Sequence, residues 1–401
     1  VVELTTNNIY GSDYGTHAIN ITGLKLTGSD TAAYVSMAGG GHDGLYLSSC
    51  TDAVVQYYAI SGAANGATLD SSAATIAYAT ITDVGNTAVG LDVKGASTVN
   101  LDTADVYGAD GIFAEGASTL YLKNAINVTG VASGIKVDGL STVTNKAGDA
   151  YSGSGKKNKV AVTGSAYPKA LYVISGTVDL DGYQFDAHTT AVNGTAVYDA
   201  DNNAGTVNLV YTNATNNTTD AYIWGSRDGM LVGENTTLTL ANYQVIGGTK
   251  GTYDTDLATD SGNAGALVSG NLYISGTNTF LGHTYGISVS GGVFTNYKIA
   301  DAWTYDETAA GAAPVGSGAI YGGKSSSSCA IYADDGALVT LADYDVKAGG
   351  TGESDGVLAS GSATKVYLNK INSKLTPGIT GGGGIDANKV LSGSGVRLIG
   401  G

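Results

Sequence analysis

Apolar residues alternate with polar ones in short runs along much of this chain. Leu91 and Val93, Val99 and Leu101, Ile112 and Ala114, Leu120 and Leu122, and Ile135 and Val137 each bracket one outward residue. An alternation of two places one face inward, which predicts β-strands buried on one side. The runs are three to five residues long and punctuated by glycine.

The runs repeat. Gly90-Leu-Asp-Val-Lys-Gly95-Ala-Ser-Thr-Val99-Asn-Leu101 is followed by Gly111-Ile-Phe-Ala-Glu-Gly116-Ala-Ser-Thr-Leu120-Tyr-Leu122 and Gly134-Ile-Lys-Val-Asp-Gly139-Leu-Ser-Thr-Val143. The leading glycines step by 21 and then 23 residues. The same grammar returns at Gly44-Leu-Tyr-Leu, at Gly229 to Leu240, at Ala330 to Leu341 and at Gly356 to Leu368. Each unit reads as a short alternating strand, a glycine turn, a second alternating strand and a third apolar stretch.

Strands this short cannot bury a face alone. Stacking the next unit buries it and pairs every backbone group through parallel ladders. The expected fold is therefore all-β: one parallel β-helix (β-solenoid) over residues 1–401, with coils of 21–23 residues. Glycines are expected at its corners, often with positive φ. Sandwiches, barrels and propellers fit less well, because hairpin signals are confined to Asn65-Gly66 and Asn193-Gly194 and the period is too short. The spacing breaks near 148–168, 199–224, 249–264 and 301–328, where edge loops that contact partners are expected.

Composition sharpens this. The 401 residues include 61 Gly and 3 Pro, and 13% are charged. Low charge with 43% apolar content excludes disorder, and scarce proline spares ladder donors. A net charge of −16 argues against nucleic acid as a partner. No apolar run approaches the ~18 residues of a membrane-spanning helix.

The Gly-Ile-x-x-x-Gly-x-Ser-Thr-Val-x-Leu grammar resembles right-handed parallel β-helix surface proteins, such as autotransporter passengers and pectate-lyase-like solenoids. The resemblance is clearest over 41–145 and 329–370. It implies an extracellular or cell-surface location, and it speaks to fold more than function. The chain departs from both groups. Nothing C-terminal resembles a translocating barrel. The lyases resemble one another in basic residues and calcium-binding acids on one face, and here Arg227 and Arg397 are the only arginines.

Catalytic constellations are weak. Asp334-Asp335 could be paired carboxylates of a glycosidase, but Glu115-Gly116 and Asp138-Gly139 hold the equivalent turn place. Arg227-Asp228 reads as a surface pair at a coil entry. His17, His42, His188 and His283 lack metal-ligand spacing. Asp199/Asp201 and Asp254/Asp256/Asp260 could bind calcium, yet the calcium repeat of other solenoids is missing, so no cofactor is expected. Gly381 to Gly384 is a turn and no phosphate loop.

Sequons at Asn20, Asn127, Asn193, Asn213, Asn216, Asn217 and Asn235 are candidate glycosylation sites, in a number that composition alone would give. Cys50 and Cys329 lie 279 positions apart. In a straight solenoid that is roughly 60 Å at the ~4.8 Å strand spacing, beyond the ~7 Å a disulfide spans. They are expected to be free or bonded to another chain.

The chain opens on Val1-Val2-Glu3-Leu4 as a matured secreted protein would. Strand-like sequence at Val1 to Tyr10 and Val390 to Gly401 looks uncapped, and uncapped solenoid ends polymerise. The expected function is a non-enzymatic structural subunit that stacks with other copies into a sheath, surface layer or filament. An adhesin that meets a glycan or surface ligand through its loops is the alternative, and a polysaccharide lyase or hydrolase a lesser one.

Overall fold

In a computed structural model of the chain, the described residues are 2–5, 8–28, 34–85, 87–145, 158–164, 166–188, 193–199, 205–212, 221–248, 263–306, 308–322, 329–348, 355–369, 379–380 and 396–399. They form strands and turns, with no helix among them. The chain divides into two compact units, Val1–Phe185 and Asp186–Gly401.

In the first unit strands pair in parallel with the repeat before and the repeat after. Three inward rows result. One runs Leu26, Val55, Ile76, Leu101, Leu122. A second runs Met37, Ile60, Ile81, Val106, Val128, Val160. The third runs Leu45, Ala67, Leu91, Ile112, Ile135, Leu171. All are buried. Each fully buried aliphatic side chain is worth about 1.5–3 kcal/mol, so stacked rows supply the core that no single repeat has.

Two kinds of turn join the strands. At Gly95-Ala96, Gly116-Ala117 and Gly139-Leu140 both central residues have positive φ, between 59° and 65°. The bonds Ser97 N–H to Lys94 O and Ser141 N–H to Asp138 O close the first and third of these turns. At the other kind the glycines do not have positive φ and serve a different purpose. A Cβ on Gly111 would lie 2.4 Å from Val128 Cγ1 and 2.7 Å from Gly134 O. Gly44, Gly66, Gly90 and Gly134 are equally crowded, so this column is glycine because neighbouring backbones touch.

The serine of the repeat grammar has a role that periodicity did not reveal. Ser72, Ser97, Ser118 and Ser141 are buried at the turns. Ser97 Oγ accepts from Ser72 N–H at 2.9 Å, Ser118 Oγ from Ser97 N–H at 3.1 Å and Ser141 Oγ from Ser118 N–H at 3.0 Å. Ser97 and Ser118 pass their own protons to the Lys94 and Glu115 carbonyls.

The second unit uses the same pairing with more irregular spacing. Met230, Ala266, Ile287, Ile331 and Val357 form one buried row. Val245, Phe280, Ile320 and Val346 form another. Buried Asn278 and Asn296 brace its corners. Asn278 Oδ1 accepts from Tyr243 N–H at 3.0 Å, and Asn296 Oδ1 from Ala342 N–H at 3.0 Å.

Much of what spacing marked as edge loop is frame. Asn158–Val162 lies within 148–168 and pairs with the strand Thr119–Val137. Gly205–Val210 and Tyr222–Gly225 lie within 199–224 and pair with Thr237–Ala241 and Gln244–Gly247. Their outward Asn, Thr and Lys residues hid the buried alternation. The expected loop at 249–264 lies almost wholly outside the described residues. The break at 301–328 does hold an insertion, beginning earlier than expected. It is a small antiparallel sheet of Tyr297–Ile299, Ala302–Thr304 and Ala312–Pro314. Trp303 stacks on Tyr273 of the frame at 5.2 Å, with Lys298 Nζ 4.4 Å from the Trp303 ring centre. The strand Gly316–Gly322 then rejoins the ladder.

Candidate functional site

Three strands of the first unit pair on one side only among the described residues. Val2–Thr5 pairs with Leu24–Thr27, Ile9–Gly11 with Met37–Gly39, and Thr16–Ile19 with Leu45–Ser48. Among the described residues no strand pairs with their other sides. Val2, Leu4, Tyr10 and Ile19 are exposed there, Tyr10 at 69%. An open edge with exposed apolar side chains is a template for another strand.

Beside this edge the fold gathers groups that are distant in sequence. Tyr14 stacks on His42 at 4.9 Å and 10°, and touches His17 at 4.4 Å and Tyr46 at 5.6 Å. His42 Nε2 is 3.3 Å from Asp13 Oδ1. Partial burial and the Asp13 and Asp43 carboxylates raise the Tyr14 hydroxyl above its ordinary value. Two histidines that looked scattered thus share one ring.

The remaining candidates are placed as follows. Asp334 Oδ2 accepts from the Tyr332 hydroxyl at 2.9 Å, and Asp335 is an exposed turn residue at φ 52°. Asp228 is buried, with Arg227 Nε 3.1 Å from Oδ2 and Ala264 N–H donating to Oδ1 at 3.2 Å. Burial raises its carboxyl, which Arg227 partly offsets. Both acids brace the frame at a turn or strand end. His188 stacks on Trp224 at 3.9 Å, and His283 sits in a turn.

Asp199 is a residue whose position the calcium reading missed. It pairs with Val232 and continues the buried row of Val232, Val268 and Val289. It is fully buried, and neither carboxyl oxygen has a hydrogen-bond partner among the described residues. Burial pushes it up to about 7. The Thr236 hydroxyl offsets this only slightly, being donated to Gly233 O at 2.7 Å. No group of three or more metal-ligating side chains gathers among the described residues. Asp201, Asp254, Asp256, Asp260 and Gly381 to Gly384 lie outside them.

Cys50 and Cys329 are free and buried. Cys50 terminates the serine ladder: its N–H donates to Ser72 Oγ at 3.0 Å and its Sγ lies 3.5 Å from the Ala18 and Ser48 carbonyls. Burial, with Asp355 adding to it, pushes the Cys329 thiol up to about 12. A bond from either thiol to another chain would require its surroundings to open. Among the sequons, Asn20, Asn127 and Asn235 are exposed and Asn193 half-buried. Asn213, Asn216 and Asn217 lie outside the described residues.

No helix among the described residues is long and apolar enough to cross a membrane. No protein-family model matches this chain, and neither a curated protein nor a solved structure matches it.

Proposed function

We propose that the chain is a non-enzymatic structural protein of the cell exterior, and that it assembles with its own copies by strand stacking. Each unit is read as a parallel β-helix, one coil per repeat with three strands to the coil. The open edge at Val2–Thr5, Ile9–Gly11 and Thr16–Ile19 carries the reading. A strand of another copy could continue this ladder, and repeated continuation would give a sheath, surface layer or filament. The braced carboxylates around Tyr332 and Arg227 favour a frame over catalysis. Scarce charge and abundant Thr, Ser, Asn and Gly favour the extracellular side.

Sedimentation and negative-stain microscopy of the whole chain across a concentration series test this. Concentration-dependent filaments or sheets are expected. Leu4→Pro, which removes a backbone donor from the strand Val2–Thr5, should abolish them while the circular dichroism of the monomer persists. A chain that stays monomeric at every concentration overturns the proposal.

A further inference from the structure

Three tyrosines share one column on the outside of the first unit. Val35 pairs with Tyr58 and Tyr58 with Ala79. The residues before them, Tyr34, Tyr57 and Tyr78, therefore take the same corner place on three consecutive repeats. The Tyr57 and Tyr78 rings stack face to face, with centres 4.9 Å apart and planes 7° from parallel. Both residues have a similar positive φ, 62° and 50°, and they sit one strand spacing apart, which sets the rings parallel. Neither ring belongs to the core: Tyr57 is half-buried and Tyr78 is 39% exposed. Thr103 takes the same place on the next repeat, with φ 48°, so the corner itself does not call for a ring.

Other tyrosine pairs are less well aligned. Tyr14 and Tyr46 are tilted by 54°, and Tyr211 and Tyr243 meet edge to face at 81°. Tyr285 and Tyr332 stack at 5.3 Å and 25°, and the Tyr332 hydroxyl is donated to Asp334 Oδ2. The Tyr57–Tyr78 pair is the most nearly parallel of the four, and it links two coils.

We infer that Tyr57 and Tyr78 are a site of oxidative cross-linking, where a peroxidase using hydrogen peroxide joins them as dityrosine. Each phenol gives up one electron and one proton. The two phenoxyl radicals join through ring carbons ortho to their hydroxyls. Each of those carbons then loses its hydrogen as a proton, and each oxygen regains one. One C–C bond forms, two C–H bonds break, and two hydrogens leave in all. Hydrogen peroxide takes the two electrons and two protons, its O–O bond breaks, and two waters form. Stacking holds the partners together before oxidation, so their coupling needs no encounter. The product is a covalent staple across a ladder that hydrogen bonds and packing otherwise hold. It involves no contact between copies, so it stands or falls apart from assembly.

The test treats the whole chain, dilute enough to stay monomeric, with a haem peroxidase and hydrogen peroxide. Cleavage before Asp52, Asp70 and Asp83 then puts Tyr57 and Tyr78 on separate peptides, 52–69 and 70–82. Mass spectrometry should find these two joined, two hydrogens lighter than their sum, with dityrosine fluorescence. Tyr57→Phe and Tyr78→Phe keep a ring in the stack, and circular dichroism should show both folded. Each should remove the joined peptide, and Tyr57→Phe distinguishes Tyr57 from Tyr58 beside it. Unfolding in urea before oxidation should cut the yield at least about tenfold, because the stack is lost. Absence of the joined peptide from the native protein, its persistence in either folded variant, or a yield in urea above a tenth of the native one overturns the inference.

Discussion

Asp199 should make the fold lose stability as pH rises. Folded, its carboxyl keeps its proton up to about pH 7, against about 3.9 for an ordinary aspartate. Between those values the native state binds more protons than the unfolded one, so stability falls as pH rises. The difference amounts to about 4 kcal/mol between pH 4 and pH 8. Urea titrations at pH 5 and pH 8 should show the drop, and Asp199→Asn should flatten it. The buried serines act at the same scale. Ser97→Ala leaves the Ser72 N–H without its acceptor, and should cost about 1–3 kcal/mol by the same titration. Cys50 and Cys329 should resist a thiol reagent in the native protein and react together in guanidinium, as expected of buried thiols.

Among the elements, the glycines of the crowded column set how closely repeats can stack. Gly111→Ala drives a methyl into Val128 and the Gly134 carbonyl, and should destabilise the first unit by about 1–3 kcal/mol on chemical denaturation. The alternation at Leu91/Val93, Val99/Leu101 and Leu120/Leu122 was enough to read these strands and their inward faces. Strands at Asn158–Val162 and Gly205–Val210 were not readable, since one buried row interrupted by long polar connections gives too few matches to a period. The serine ladder was visible as a repeated letter but not as a hydrogen-bond chain, because acceptor and donor lie a whole repeat apart. The corner at Tyr57 and Tyr78 left no trace either, since only a positive φ at each marks it. Asp199 reads as surface acid until its register against Val232 places it inside.

For the whole molecule, charge opposes assembly. Copies carrying −16 repel one another as they approach. Salt shortens that repulsion to about 8 Å at physiological strength. Raising sodium chloride from low to physiological concentration should therefore lower the protein concentration at which polymer appears, as light scattering would record. Polymer that dissolves on adding salt would point to assembly through charge pairs instead of strand edges.

The serine ladder also fixes an order of events. Each buried turn amide is met by a hydroxyl from the repeat that follows it in sequence: Cys50 by Ser72, Ser72 by Ser97, Ser97 by Ser118 and Ser118 by Ser141. A chain emerging N-terminus first is thus always one repeat short of satisfying the last turn it has laid down. Every newly arrived repeat brings a hydroxyl acceptor to the turn before it, so the ladder is extended in one direction as the chain grows.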